Sequence, residues 1–364
     1  MKSKEKNTIK TFDRSFWIYI GIFLFLVIVI LFFPYLFSQY SFHGIDFTPV
    51  NGISDTIGII SPFIAILAAG LTFLAFWVQF KANEQQRYDI KKERFESTFY
   101  ELLRFHKQNV DDLKIENLNQ RELFQEFYYE LRFAYTLTKD AFDSILKTSE
   151  DSTKDILRNY STIKLINLSY QIFFYGYNYI YTVSEIQIGL PKKVWQEVRP
   201  ELINRFKEYD DNWEKGDYSL RVQRKTKGLK LEGGGMLSSF YKPFAGQSKL
   251  LGHYYRNLYQ IVKYIDGQDD RFLTFPQKYD YVKTLRAQLS DHEQVILYYN
   301  SLSSLGYDWF AGKDKSLIVR YRLIKNAPTT LFWGLLPKKL FTEFNMSTEE
   351  IDKYFEPKNQ LLDI

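Results

Sequence analysis

The chain predicts a mostly α protein, with an N-terminal two-helix transmembrane hairpin followed by a cytoplasmic all-helical domain. Three observations carry this expectation. Two uncharged apolar runs, 16–37 and 56–80, lie within the first eighty residues. Basic residues flank this pair and are absent between the two runs. Beyond residue 94, apolar residues recur mainly at three- and four-residue steps, the spacing of helices that bury one face.

Each apolar run is long enough for the ~20 residues that a helix needs to cross hydrocarbon, and a helix satisfies its own backbone groups there. Lys2, Lys4, Lys6, Lys10 and Arg14 precede the first run and Lys81, Arg87, Lys91, Lys92 and Arg94 follow the second, whereas residues 38–55 contain neither Lys nor Arg. Basic flanks stay on the cytoplasmic side. The expected topology is therefore multi-pass in the inner (cytoplasmic) membrane, with a basic tail at 1–15, an outer loop at 38–55 and both termini cytoplasmic. A cleaved signal peptide fits the first run less well, because the run exceeds an ordinary h-region and no small-residue cleavage site follows it. The chain has no cysteine, which agrees with a reducing compartment.

In the second run Ser61, Ala65 and Ala69 recur every four residues, a spacing that lets helix backbones approach closely in lipid. Their expected neighbour is the first span, or a second copy in a homo-oligomer. Neither run carries a charge, so no ion pathway or proton relay is expected. Between Gly70 and Gly176 there is neither Gly nor Pro, which lets the second span continue as helix through a polar stalk at 81–94.

The domain at 95–364 opens with Phe95, Phe99, Leu102, Leu103, His106 and Val110 on one helical stripe, where His106 is expected as a hydrogen-bonded core residue. Further helices are expected at about 118–147, 153–187 and 191–213. Regularity fails between about 211 and 247, where Arg221, Arg224, Lys225, Lys227 and Lys230 form a basic run ahead of Gly233, Gly234 and Gly235. That stretch reads as a solvated loop, or as a short hairpin; anionic lipid headgroups and nucleic acid are its alternative partners. Helical patterning resumes at 251–266, whose apolar face is Leu251, Tyr254, Tyr255, Leu258, Ile261, Val262 and Ile265. A helix at about 276–289 is followed by Ser290 and Glu293, spaced as a capping box before a further apolar run, so a tight turn is expected at 286–293. Ordinary helices near 335–356 close the pattern.

Several of these segments resemble the phage abortive infection protein family related to abortive infection protein C of lactococci. The likeness rests on the paired spans, RFESTFYELLRFH (94–106), LGHYYRNLYQIVKYID (251–266) and YVKTLRAQLSDHEQVILYYNSLSSLG (281–306), the last with its Arg286, Gln288, Ser290, Glu293 and Asn300 pattern. The resemblance implies bacterial defence, in which an infected cell stops growing or dies before phage matures. It brings no agreed active-site residues.

Composition narrows the chemistry. The net charge is +5, and residues 1–80 carry five Lys/Arg against Glu5, Asp13, Asp46 and Asp55, which leaves +4 for the remainder. That balance is too mild for a dedicated nucleic-acid binder. The 28 Tyr and 32 Phe match the residue bias of a G+C-poor genome and are not by themselves stacking platforms. Without cysteine there is no thiol catalysis and no cysteine-based metal site. The stretch from Gly306 to Asp314 departs from a phosphate loop in glycine spacing and in its final residue. No metal or cofactor is expected.

His253 and Arg256 lie one turn apart on a polar helix face, and with Arg286 and Glu293 they form the expected polar cluster, suited to a phosphate or an acidic partner group. Glu293 also has the simpler reading of a helix cap. Arg286 and His292, separated by five residues, are compatible with the Arg-x(4–6)-His signature of HEPN ribonucleases; in that alternative RNA is the substrate and no metal is needed. The leading expectation is a membrane-anchored defence protein that senses a phage component, plausibly a phage protein by the helical surfaces it offers, and arrests or kills the cell. A membrane-perturbing effector acting through the hairpin is the third reading, with the lipid bilayer as its partner. The topology is directly testable: alkaline phosphatase fused after Ile364 is expected to be inactive, and a fluorescent protein at the same place to be bright; periplasmic phosphatase activity would overturn the orientation.

Overall fold

The computed structural model describes residues 53–115, 118–214, 241–310, 316–343 and 346–355, together with Gly21, Phe25 and Ile28, which are helical positions in the first apolar run. The rest of that run, most of the 38–55 loop, the basic run at 221–230 with its flanking hairpin candidates, and Gly233 to Gly235 lie outside the described residues. The chain divides into two compact units, one up to Arg94 and one from Phe95 onward.

The long helix α1 (Ile53–Asp111) begins in the first unit. Ile64, Ile66, Phe73, Phe76 and Phe80 on it are exposed, as are Ser61, Ala65 and Ala69. Water disfavours so large an apolar surface. Among the described residues α1 is the one helix long and apolar enough to cross a membrane, so the expected two-helix hairpin is represented there by a single helix. The stalk residues from Lys81 to Arg94 remain helical and, apart from Lys92, fully exposed.

The second unit contains α2 (Gln120–Thr148), α3 (Asp151–Arg158), α4 (Thr162–Tyr175), α5 (Tyr179–Thr182), α6 (Glu185–Ile188) and α7 (Lys192–Glu214). After these come α8 (Ser248–Asp266), α9 (Phe275–Arg286), α10 (Asp291–Leu302), α11 (Leu317–Arg320), α12 (Pro337–Glu343) and α13 (Thr348–Phe355). Helix α2 is the centre: it packs against α3, α4, α7 and α10. It is covered on nearly every side, with Leu123, Phe127, Leu131, Phe133, Ala134 and Ala141 all fully buried.

Three boundaries differ from the sequence expectation. Two short strands, β1 (Lys114–Ile115) and β2 (Leu118–Asn119), pair antiparallel with Lys114 opposite Asn119, so α2 starts at Gln120 and not at 118. The stretch expected as one helix over 153–187 is four helices. Ser161 restarts the chain by accepting from the Ile163 N–H at 3.2 Å, and the Ser184 and Gln187 capping box opens α6. Between these, Gly176 adopts a φ of 91°, where a Cβ would sit 3.0 Å from the Ala245 carbonyl oxygen. The apolar periodicity runs through these breaks because the short helices face the same core. Finally, α7 runs on to Glu214, so the irregular stretch begins later than 211.

The expectations for the later helices hold closely. All seven residues assigned to the apolar face of α8 are buried. The capping box at Ser290 and Glu293 is formed and opens α10.

The core is aromatic, and its tyrosines serve the irregular segments as well. Tyr128 donates its hydroxyl to the Leu331 carbonyl at 2.9 Å, Tyr298 to Leu335 at 3.0 Å, Tyr299 to Trp333 at 2.8 Å and Tyr354 to Ile318 at 3.0 Å. The Trp333 N–H donates back to Tyr299 at 2.6 Å. Buried carbonyls outside regular helix need such donors.

Glu130 performs the complementary task for the segment that leads into α8. Its carboxylate accepts from the Tyr241 hydroxyl at 2.5 Å, the Phe244 N–H at 2.7 Å and Gln247 Nε2 at 3.0 Å. Phe244 holds a φ of 58°, an unfavourable conformation for a bulky residue that the surrounding structure must enforce. Burial lifts the Glu130 carboxyl to about 7 in spite of these three donors, and neighbouring Glu126 adds to the rise. Glu130→Ala leaves three buried donors without an acceptor, at ~1–3 kcal/mol each. It is expected to lower the unfolding free energy by about 3 kcal/mol or more, measured by denaturant melts; a loss within surface-substitution range, about 0.5 kcal/mol, would remove this latch from the account.

Candidate functional site

The three segments that carry the family resemblance meet in the second unit. The first ends on the last turns of α1, where Phe95, Phe99 and His106 are buried on one face. The second is α8. The third is α9, the following turn and α10.

Tyr254 of α8 joins them. Its ring lies 5.1 Å from the His106 ring and 4.9 Å from Phe124, and its hydroxyl donates to Glu293 Oε1 at 3.0 Å. Glu293 Oε2 accepts from the Ser290 N–H at 2.7 Å and the Ser290 hydroxyl at 2.6 Å. Glu293 therefore serves as the expected helix cap, and its buried partner is Tyr254 instead of the arginines of the expected cluster. One helix further along the core, Asn300 Nδ2 donates to the Tyr170 hydroxyl at 3.0 Å and ties α10 to α4.

Next to His106 lies an open cleft of about 500 Å³, lined by Tyr100, Leu103, Arg104, His106, Lys107, Val110 and Asp111 of α1 and by Gln288 of the α9–α10 turn. His106 is only 2% exposed. Burial lowers its pKa to about 4, and a side-chain hydrogen bond with Asn257 opposes that shift. The imidazole is thus neutral near pH 7.

The residues expected to cluster are divided between two environments. Arg286 is buried at the end of α9, donating to the Arg322 carbonyl at 3.0 Å with its guanidinium over the Tyr279 ring. His253 and Arg256 are exposed, on the face of α8 away from its buried stripe. His292, second residue of α10, is half-buried with its ring 5.3 Å from Tyr128, and burial lowers its pKa. The capping box separates it from Arg286, and an RNA phosphate at that arginine would have to displace backbone carbonyls. The basic run at 221–230 falls outside the described residues.

Glu126 and Glu130 were missed by sequence reasoning. Both are buried on α2, and burial lifts each to about 7. The available signal was a carboxylate within an otherwise apolar helical stripe, between Phe127 and Ala134.

Fold and site together define a helical protein with a buried polar layer beneath an open cleft. Residues 246–332 match the family model described as Putative phage abortive infection protein, which supports the family resemblance of the sequence. The match spans α8, α9, α10 and α11, roughly a quarter of the chain. No curated protein and no solved structure matches the chain.

His106 links stability to pH. Its folded pKa of about 4 lies below the unfolded value of 6.5, so between the two the unfolded state binds more protons and stability rises with pH. The contribution is complete above the unfolded pKa and is lost toward pH 4, amounting to about 3 kcal/mol. Glu126 and Glu130 act with the opposite sign between about 4.5 and 7. In melts compared between pH 7 and pH 4, wild type is therefore expected to lose stability relative to His106→Leu as the pH falls, by about 3 kcal/mol over the range, and parallel profiles would refute the assignment.

Proposed function

We propose that the chain is a membrane-anchored bacterial defence protein that senses a phage component and arrests or kills the infected cell. The observation that carries this reading is the family match across 246–332, the region that supplies the buried polar layer. The long, exposed apolar stretch of α1 supports membrane attachment, and the two apolar runs of the sequence are the basis for a multi-pass arrangement in the inner membrane. A sensing role is favoured over catalysis because Arg286 is engaged by backbone carbonyls and Glu293 by its own helix cap and Tyr254. His253 and Arg256, exposed side by side on α8, offer a partner surface whose removal does not disturb the core.

Cells carrying the chain are expected to reduce phage yield by growth arrest. Arg256→Ala and His253→Ala should lower protection at least tenfold in plaque counts while the protein accumulates at normal levels. Full protection by both variants would remove this face from recognition. Membrane potential and bulk RNA followed together after infection separate the modes of action: arrest without early depolarisation or RNA cleavage is the expected course.

A further inference from the structure

Two buried carboxyls, Glu126 and Glu130, lie one turn apart on α2, and they are supplied unequally with donors. Side chains at this spacing have Cβ atoms about 6 Å apart. Glu130 accepts from Tyr241, from the Phe244 N–H and from Gln247. Oε2 of Glu126 is buried and has no hydrogen-bond partner. A buried carboxyl without donors is tolerated when neutral and strongly disfavoured as an anion. Burial raises both carboxyls to about 7, and at Glu130 the three donors oppose the rise.

The segment that meets this pair is irregular and strained. None of the residues from Tyr241 to Gln247 is helical. Phe244 holds a φ of 58° and Gly246 one of 96°, and a positive φ is unfavourable for a bulky residue such as Phe244. Further ties run to the end of α4: the Gln247 N–H donates to the Phe173 carbonyl at 3.3 Å, and the Tyr177 N–H donates to the Phe244 carbonyl at 3.0 Å. Tyr241 is buried and lies within the field of both carboxyls. Among the described residues, the titratable groups at this contact are therefore Glu126 and Glu130 on α2 and, on the segment, Tyr241 with the half-buried Lys242 beside it in sequence.

We infer that Glu126 operates a proton-controlled latch: loss of its proton opens the 241–247 segment, and regaining it closes the segment on Glu130. An anion at Glu126 stands one turn from a second buried carboxylate, and like charges at this spacing repel, the more so out of water. Moving the segment admits water to both and lets Phe244 leave its left-handed conformation. The closed arrangement holds the Glu126 proton up to about pH 7, whereas a solvated carboxyl returns toward 4.5. Opening therefore releases a proton between those values, so it becomes easier as pH rises through that window, by up to about tenfold per pH unit, and levels off above it. What moves is the lead-in to α8, and the latch does not depend on the recognition role proposed for His253 and Arg256.

The test is amide hydrogen exchange on the full chain in detergent micelles from pH 5 to pH 8, each rate divided by the intrinsic rate of that amide at that pH. The amides of Tyr177, Phe244 and Gln247 are expected to lose protection about a hundredfold between pH 5 and 7 and to change little from 7 to 8, while amides in the middle of α10 keep theirs. Glu126→Gln keeps the shape and removes the proton; it should leave the segment protected at pH 7 and cut the change across pH 5–7 by about tenfold or more. Glu126→Met, apolar and of similar length, should do the same. A flat wild-type profile across pH 5–7, a profile unchanged in both variants, or an equal loss of protection in α10 would each overturn the inference.

Discussion

The second unit is organised around the Glu293 carboxylate. One of its oxygens closes the turn between α9 and α10 through the Ser290 N–H and hydroxyl, and the other receives the Tyr254 hydroxyl from α8. Residue 293 is 1% exposed, so water cannot replace these donors. A buried carboxylate without them would be strongly unfavourable. This requirement couples a local helix cap to the tertiary position of α8, and Tyr254 in turn places its ring against His106 at the end of α1.

The same logic runs through the core. Segments that leave regular helix, above all 316–335, expose backbone carbonyls in the interior, and tyrosine hydroxyls from α2, α10 and α13 reach them. Each such tyrosine supplies a large apolar ring and a single donor at its tip. The aromatic content, 18% of the chain, thus has a structural use here whatever its genomic origin. Glu130 is the inverse case, a single acceptor that gathers three donors from the strained segment before α8.

Polar groups in this core are therefore of two kinds. Glu293, Glu130, Tyr299 and Asn300 are paired and hold elements in place. His106, buried at the edge of an open cleft, is held neutral by burial with Asn257 beside it. The first kind ties helices and irregular segments together, and the second titrates with pH without holding a segment in place.

The sequence by itself determined the helical class, the apolar face of α8 and the α9–α10 turn, because these follow from local periodicity and from a three-residue capping pattern. It also carried the family resemblance in the segments that converge on Tyr254. Tertiary structure decided the rest. The break at the end of α4 depends on Gly176, whose conformation is accommodated by close approach to Ala245, a residue distant in sequence. The burial of Arg286 and Glu293 and the exposure of His253 and Arg256 depend on which face of each helix meets a neighbour. Amphipathic spacing ranks the faces of a helix, but only packing chooses what covers them, which is why the polar cluster read along the chain becomes a buried layer and a separate exposed pair in space.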